Sequence, residues 1–251
     1  AKERMKKNFG NAGAVDNLRH ETALDRRRLL TPEPGYAALL VSIRADDKRR
    51  LTDPNEHKRL LQALGNYRVL TAHRRGDRGV AGLNKMLTQQ VQALLTAAGT
   101  GAPQRLEKSG AYWLGQPVMV TRNTRELDLR NGDIGLVLPR QVEGRRELCA
   151  VFSDPRAASA SNPGVRHVAL ARLPDNETAL AMTVHKSQGS QFERIALVLP
   201  DDANTTILTR ELIYTGITRA KWRVDWTGTR MVLARALGRG VARASGLGAL
   251  L

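Results

Sequence analysis

The sequence of 251 residues has a single cysteine and no long apolar run. Cys149 excludes an intramolecular disulfide and a zinc site built from cysteines, so a reducing, cytoplasmic location is the default expectation. No apolar run reaches the roughly 18 to 20 residues that a membrane-spanning helix needs. The basic start of the chain leads into no apolar signal segment, and we therefore expect no membrane partner.

A nucleotide-binding loop of the form G-x-x-x-x-G-K-[ST] is also missing, and the chain contains no Gly-Lys dipeptide. That loop cradles the β- and γ-phosphates of a nucleotide. An apolar run that ends in Pro200, Asp201 and Asp202 has the look of a magnesium-binding strand, but the proline and the following A-N-T-T-I favour a loop. We expect that the chain alone binds no metal and does not hydrolyse ATP efficiently.

Acidic residues are scarce beside the basic ones. The chain has 24 Asp and Glu against 40 Lys and Arg, of which 31 are Arg, and its formal net charge is +16. The planar arginine fork binds two phosphate oxygens at once, so this balance points to a polyanionic partner, with nucleic acid as the leading interpretation. Ribosomal and heparin-binding proteins share the same bias.

A polar turn between two apolar runs carries the clearest chemical signal, in the stretch T-V-H-K-S-Q-G-S-Q-F that begins at Thr183. The flanking runs have strand length, so a strand is expected to deliver the turn to a fixed place. Gly189 lets the backbone approach a ligand without a Cβ in the way. Hydroxyl, imidazole and ammonium donors suit the phosphates of a nucleic acid or a nucleotide, and the candidates are Thr183, His185, Lys186 and Ser187.

A second motif follows in T-R-E-L-I-Y-T-G-I-T-R-A-K, from Thr209 to Lys221. On a helix, Thr215 and Arg219 share one face and two isoleucines share another, which can pack inward. Arg219 is therefore predicted to be held out toward a ligand. Gly216 in mid-helix costs roughly 1 kcal/mol relative to Ala, which predicts a close approach to another surface.

A basic loop lies earlier in the chain, between a predicted strand at Tyr67–Ala72 and a helix with an apolar face. Glycines at 76, 79 and 82 favour a loop from which Arg74, Arg75 or Arg78 could reach an anion. Before it, N-E-H-K-R-L-L-Q-A-L predicts a helix over Asn55–Leu64 with Gly65 as its C-cap.

The sequence pattern changes between residues 104 and 176, where short apolar runs alternate with turn signals such as N-G-D and S-N-P-G. This pattern predicts a small antiparallel barrel inserted into an α/β unit. The predicted organisation is a charged segment at 1–30, read as a solvated helix or frayed terminus, an α/β domain in two parts at 31–103 and 177–251, and the insert at 104–176.

The two late motifs, H-K-S-Q-G-S-Q-F and Y-T-G-I-T-R-A, resemble the fifth and sixth conserved motifs of superfamily 1 DNA helicases, and most of all those of the RecD family, the alpha subunit of exodeoxyribonuclease V. The resemblance implies a RecA-like parallel sheet, the second motor domain of such a helicase, with an inserted small Src-homology-like β-barrel. It implies that the first motor domain, with the Walker motifs, lies upstream of Ala1, in line with a chain that does not begin with Met.

The same resemblance implies the site residues. ATP with Mg²⁺ would lie between the two motor domains of the complete protein, with Arg219 and Arg74 reaching its γ-phosphate and Gly189 and Gln191 also on the nucleotide. Thr183, His185, Lys186 and Ser187 would hold DNA. Gln191 stands where the family usually has Glu, and Gly216 stands where Ala is common, so the contact of residue 191 with the nucleotide sugar is open.

The family further implies 5′-to-3′ movement, a role in double-strand break repair by recombination, and the partners RecB, RecC, single-stranded DNA and duplex DNA ends. Two other interpretations stay open from the residues. The chain could be a non-catalytic module that binds nucleic acid or docks to a larger complex, which needs the basic surface but not Arg219. It could also belong to a stand-alone RecD-like helicase or a conjugative relaxase motor.

Overall fold

The computed structural model describes residues 18–21, 39, 41, 50–97, 112–159 and 161–240. Ten strands and four α-helices form in these residues. The strands are β1 (Leu18–Glu21), β2 (Tyr67–Thr71), β3 (Pro117–Val120), β4 (Ile134–Val142), β5 (Arg145–Ser153), β6 (Val165–Ala169), β7 (Asn176–Thr178), β8 (Ala181–Thr183), β9 (Phe192–Val198) and β10 (Ala220–Thr227). The helices are α1 (Pro54–Gly65), α2 (Val80–Ala97), α3 (Arg210–Ile217) and α4 (Arg230–Gly238).

Five of the strands form a parallel sheet in the order β1-β10-β9-β2-β8. One hydrophobic cluster packs Leu70, Ile195 and Leu197 against α3 and α4. Another packs the alternate strand residues Val69 and Ala196 against α1 and α2. Because alternate strand residues point to opposite faces, the sheet is covered by helices on both sides, which is an α/β fold of the RecA-like kind that the sequence predicted.

Local capping explains where the helices begin. The side chain of Thr209 accepts a hydrogen bond from the backbone N–H of Leu212 at the start of α3, and Thr229 does the same for α4. Asp53 caps α1 and is followed by a proline at the first helical position. The predicted C-cap of α1 is wrong by one residue, since Gly65 still belongs to the helix and Asn66 closes it in a right-handed conformation that needs no glycine.

The other five strands form an antiparallel sheet in the order β6-β5-β4-β3-β7. In the chain they lie between α2 and β8, so this sheet is inserted into the parallel unit. β4 and β5 form a hairpin whose turn holds Glu143 and Gly144 with positive φ. The pairings within the described residues leave β6 and β7 as two open edges, so the closed barrel is not confirmed and stays a prediction.

The N-terminal segment departs from its prediction. Leu18–Glu21 is neither a solvated helix nor a frayed end, because it pairs with Val224–Thr227 of β10 as an edge strand of the parallel sheet. The predicted boundaries near residues 30 and 103 lie outside the described residues. Among the helices that the structure describes, none is long and apolar enough to cross a membrane.

Candidate functional site

The polar turn of the first motif links the two edges of the parallel sheet. β8 ends at Thr183, level with the last residue of β2 at the carboxyl edge of the sheet. β9 begins at Phe192, at the amino edge. Residues 184–191 therefore cross the sheet from one edge to the other, and the predicted phosphate-binding side chains are divided between the two edges.

At the carboxyl edge, two of the predicted hydroxyls build the turn. Thr183 is 8% exposed and its Oγ1 accepts from the backbone N–H of Lys186 at 3.3 Å. Ser187 is fully buried and donates to the carbonyl of Val184 at 2.7 Å. His185 is exposed, and so it is the member of this group that presents its side chain to a ligand without any rearrangement. The DNA contacts predicted for Thr183 and Ser187 stay predictions.

Two cations at this edge share one carboxylate. The Lys186 ammonium donates to Oε1 of Glu177 at 2.8 Å, and a guanidinium nitrogen of Arg74 lies 3.6 Å from Oε2 of the same residue. Glu177 comes from β7 of the antiparallel sheet, whereas Arg74 and Lys186 come from two loops of the parallel unit. The inserted sheet is thereby tied to both basic loops.

An asparagine braces the entry to this turn. The side chain of Asn84, on α2, donates to the carbonyls of Thr178 and Ala181 at 2.8 and 3.1 Å. Its carbonyl accepts from the backbone N–H of Ala181 at 2.8 Å. These three bonds fix the link between β7 and β8, and hence the position of Glu177 relative to Lys186.

Arg78 of the basic loop is used internally. Its guanidinium contacts Oδ1 of Asp201 at 2.9 Å and donates to the carbonyl of Leu199 at 3.3 Å. Asp201 lies in the loop that the sequence predicted after residue 199, and there it pairs with Arg78. In the described ranges no group of three or more His, Cys, Asp or Glu residues could hold a metal ion.

At the amino edge, Arg219 follows α3 and precedes β10. Three neutral oxygens hold its guanidinium, namely the carbonyls of Thr215 and Ser190 at 3.2 and 3.3 Å and the hydroxyl of Thr218 at 3.3 Å. Within the part of the chain that the structure describes, Arg219 forms no ion pair with a carboxylate. The side chain is oriented while its charge is left uncompensated.

Gly216 is in the close contact that the sequence predicted, and the ligand approach predicted for Gly189 stays a prediction. A Cβ on Gly216 would lie 3.2 Å from Leu197 and 3.5 Å from Val184, so α3 does approach β9 and the polar turn closely. Gly189 has φ of +86°, a left-handed conformation that other residues adopt at a cost. The neighbouring side chain of Gln191 is exposed, beside the oxygen of Ser190 that holds Arg219.

A cavity lies at each end of the crossing segment. The one at the carboxyl edge measures about 480 Å³ and is lined by His185, Gln188 and Thr215 among others. The one at the amino edge measures about 640 Å³ and lies between Ser190–Phe192 and the antiparallel sheet. Arg166 and Arg156 line the second cavity and hold down the pKa values of the Asp154 and Asp128 carboxyls through hydrogen bonds and charge.

The structure does not bring Arg74 and Arg219 together. Arg219 immediately precedes Ala220, which is level with Phe192 on β9, while β2 ends level with Val198 shortly before Arg74. The strand from Phe192 to Val198 spans about 20 Å at the usual rise of about 3.3 Å per residue. Arg74 therefore lies near Lys186 at the carboxyl edge, and Arg219 lies near Ser190 at the amino edge.

Three groups away from the site, Cys149, His57 and His167, carry shifted pKa values. Burial raises the pKa of the Cys149 thiol to about 12, so this thiol is not reactive. His57 on α1 and His167 on β6 lie 2.9 Å apart between Nδ1 and Nε2. Burial lowers the pKa of both, that of His167 to about 4, and the carbonyls of Leu51 and Pro139 contact Nε2 of His57.

Comparison with known proteins gives the class and then a more specific similarity. Residues 178–224, which include both late motifs, match the family model described as UvrD-like helicase C-terminal domain. The RecBCD enzyme subunit RecD of Mycolicibacterium smegmatis is 39% identical over 192 residues, covering 76% of this chain and 30% of that protein. The subunit RecD of Mycobacterium tuberculosis is 41% identical over 187 residues, covering 74% and 29%.

Among solved structures, a Pif1 helicase from Bacteroides in complex with ADP-AlF3 and ssDNA is 16% identical, covers 78% of this chain and 49% of that chain, and gives a TM-score of 0.33. The parallel sheet and the matched motifs make the chain a C-terminal helicase region. More specifically, it is similar to the C-terminal portion of the RecD subunits. The chain spans about 30% of the length of the curated relatives it matches.

Sequence reasoning missed Glu177 and Asn84. Glu177 gives no local signal, because its two partners come from segments nine and about a hundred residues away. Asn84 does give one, since it is a polar residue that lies between Leu83 and Leu87 on the apolar side of α2. A single amide in such a position is commonly committed to backbone groups that would otherwise lack partners.

Proposed function

We propose that the chain is the C-terminal motor portion of an ATP-dependent 5′-to-3′ DNA helicase, acting in double-strand break repair as a RecD-type subunit with RecB and RecC. The observation that carries the proposal is Arg219. It is a fixed arginine with no carboxylate partner among the described residues, at one edge of a parallel sheet, in a segment that matches a helicase C-terminal domain. The similarity to RecD subunits of the RecBCD enzyme supports the particular partners.

In this proposal the chain's own contribution to catalysis is electrostatic. ATP supplies the phosphoryl group whose transfer to water drives movement. Arg219 stabilises the negative charge that develops on that group, and it costs little reorganisation because three oxygens already orient it. Gln191, exposed beside it, can donate an amide hydrogen bond to the nucleotide sugar, and Gly189 allows close approach of the backbone.

The residues fit a nucleotide only in part. Arg219 suits a phosphate, but the sequence has no loop that cradles the β- and γ-phosphates. The described residues offer no cluster of acids for Mg²⁺. We therefore assign phosphate binding and the metal to the first motor domain of the longer protein, and we expect this chain alone to hydrolyse ATP poorly.

At the other edge, the proposed ligand is the backbone of single-stranded DNA. Lys186 and His185 are the side chains best placed to reach it, because Lys186 is charged and partly exposed and His185 is exposed. Arg74 shares a carboxylate with Lys186, and this contact favours a DNA role for Arg74 over the predicted contact with the γ-phosphate. A change in cleft width at the amino edge would then move the strand held at the carboxyl edge.

The proposal is tested by substituting alanine for one residue at each edge, in the longer protein that supplies the first motor domain. Arg219→Ala should lower DNA-stimulated ATP hydrolysis by about 1,000-fold or more and leave the affinity for single-stranded DNA within about twofold. Lys186→Ala should weaken single-strand binding and reduce its salt slope by about 0.7. Hydrolysis rates and fluorescence anisotropy at several salt concentrations measure both.

Arg230→Ala is the matched control, because Arg230 is an exposed arginine at the start of α4 and away from both motifs. It should change neither quantity. A loss of DNA binding in Arg219→Ala with hydrolysis retained would reverse the assignment of the edges. Normal hydrolysis in every variant would favour the non-catalytic binding module.

A further inference from the structure

Glu177 is the acidic residue at the centre of the carboxyl-edge cations. Each of its two oxygens faces a different cation, Lys186 at 2.8 Å and Arg74 at 3.6 Å. A carboxylate with one cation on each oxygen has the same arrangement as a backbone phosphate bound by a lysine and an arginine. Lys186 and Arg74 are thus already spaced for one phosphate group, and Glu177 fills that place.

Glu177 reaches this place from another part of the fold. It lies on β7, which pairs on one side with β3 and forms an edge of the antiparallel sheet. The cations belong to the loop after β2 and the turn after β8. A basic surface that only needed internal neutralisation could use any nearby acid, whereas this acid is delivered between two loops by a separate sheet.

The exposures of the three side chains matter as well. Glu177 is 31% exposed, Lys186 24% and Arg74 66%, so water and solutes reach the contact. Ion pairs at such a depth contribute little to stability, so a competing phosphate can replace them. The contact is strong enough to order the two cations and weak enough to be exchanged.

We propose that Glu177 is a placeholder for a DNA backbone phosphate. Its carboxylate pairs with Lys186 and Arg74 when no strand is bound, and a phosphate displaces it when a strand enters. The inference rests on the proposed function, since it takes the carboxyl edge as the strand-binding site. Glu177 lowers the affinity of the site and speeds release of the strand, because its carboxylate recaptures the cations as the phosphate leaves. A motor that moves along DNA needs such release at every step.

The test uses this chain and a fluorescent oligothymidylate, and it needs no nucleotide. Glu177→Gln keeps the shape of the side chain and removes its charge, so we expect about fivefold tighter binding from the loss of repulsion and competition. The dissociation rate should fall by a similar factor, and the salt slope should steepen by up to about 0.7 for each cation released. Binding that is unchanged or weaker would overturn the placeholder.

Two further variants make the result specific. Glu193→Gln removes the same charge from an exposed pair with Lys221, 2.9 Å apart, and should leave binding within about twofold of the parent chain. Relative to Lys186→Ala alone, the double variant Glu177→Gln/Lys186→Ala should show a smaller gain, because only Arg74 is then left for Glu177 to occupy. An equal gain from Glu193→Gln, or a full gain in the double variant, would reduce the effect to net charge and overturn the proposal.

Failure of the inference and failure of the proposed function give different results. If the parent chain binds the oligonucleotide and Lys186→Ala weakens it, while Glu177→Gln has no effect, only the placeholder is wrong. If Lys186→Ala also has no effect, the carboxyl edge is not the strand site and both are wrong. Glu177→Ala serves as a second variant, and melting temperatures verify that each protein is folded.

Discussion

The two edges of the parallel sheet present arginine and lysine in different electrostatic states. At the carboxyl edge, Lys186 and Arg74 share the carboxylate of Glu177. At the amino edge, Arg219 is held by two carbonyls and a hydroxyl, and in the described residues no carboxylate pairs with it. One edge therefore holds its cations in an exchangeable form, and the other keeps a full positive charge in a fixed direction.

This difference matches two kinds of ligand. A nucleotide that stays in place during a chemical step gains from a preoriented and uncompensated charge, because no other partner must be displaced. A strand that slides must be released repeatedly, and an internal competitor lowers the barrier to release. A uniformly basic surface would therefore suit neither the nucleotide nor the strand well.

The largest effect should come from substituting alanine for the arginine at each edge, one at a time, in the longer protein. Arg219→Ala removes the fixed charge and should cost about 1,000-fold or more in ATP hydrolysis. Arg74→Ala should keep hydrolysis within about tenfold of the parent and should weaken single-strand binding about fivefold, as the loss of one exposed phosphate contact does. Steady-state hydrolysis and anisotropy titrations distinguish the two variants.

The outcome also decides the role of Arg74. A loss of hydrolysis in Arg74→Ala as large as that in Arg219→Ala would restore the sequence-based prediction that both arginines meet the γ-phosphate. The distinction between the edges would then describe only the isolated chain. Arg75→Ala, an exposed neighbour in the same loop, is the control for general loss of positive charge.

A smaller effect is expected from loosening the carboxyl edge without changing its charge. Asn84→Ala removes three hydrogen bonds to Thr178 and Ala181 and leaves backbone groups unpaired, which should lower the free energy of unfolding by about 2–3 kcal/mol. The melting temperature should fall by about 5–10 °C. Gln89→Ala, on the exposed side of the same helix, should change it by less than about 2 °C.

A residue that braces the edge should also affect its ligand. At a temperature where Asn84→Ala remains folded, single-strand binding should weaken, because Glu177, Lys186 and the turn lose their common support. Unchanged binding in the folded variant would show that the position of the cations does not depend on the link between β7 and β8.

The smallest effect tests the contact between α1 and the antiparallel sheet, away from both edges. The folded-state pKa of His57 is below 6.5 and that of His167 is about 4, in each case mainly because of burial. The unfolded chain therefore binds more protons as pH falls below about 6.5, and stability decreases from there toward pH 4. Above about pH 7 these two groups contribute no pH dependence.

Melting temperatures between pH 7.5 and 4.5 measure this decrease, which we expect to reach a few degrees. His167→Gln keeps a donor for Nδ1 of His57 and removes one titrating group, so its melting temperature should fall less steeply. The carboxyls of Asp128 and Asp154 lie outside this range, since their arginine partners lower the pKa of each below its usual value. An equal slope in both proteins would mean that the histidine pair does not control the acid response.

The fold was predictable where the hydrophobic periodicity and the turn residues lie close together in the sequence. Patterns within about twenty residues predicted the strand, basic loop and helix from Tyr67 onward, the short strands of the insert, and α3. The edge strand Leu18–Glu21 was not predicted, because a four-residue strand in a charged segment is defined by its pairing with β10 and carries no pattern of its own.

By itself, the sequence predicted a polyanionic partner and determined the α/β class of the fold and the two late motifs, because charge, alternation and residue order are all present along the chain. Only the tertiary structure decided which of these residues meet. Parallel strands separate groups by edge, so Arg74 joins Lys186 instead of Arg219, and β7 brings Glu177 between them. The physical reason is that ion pairs and braces depend on distances across the fold, which spacing along the chain does not specify.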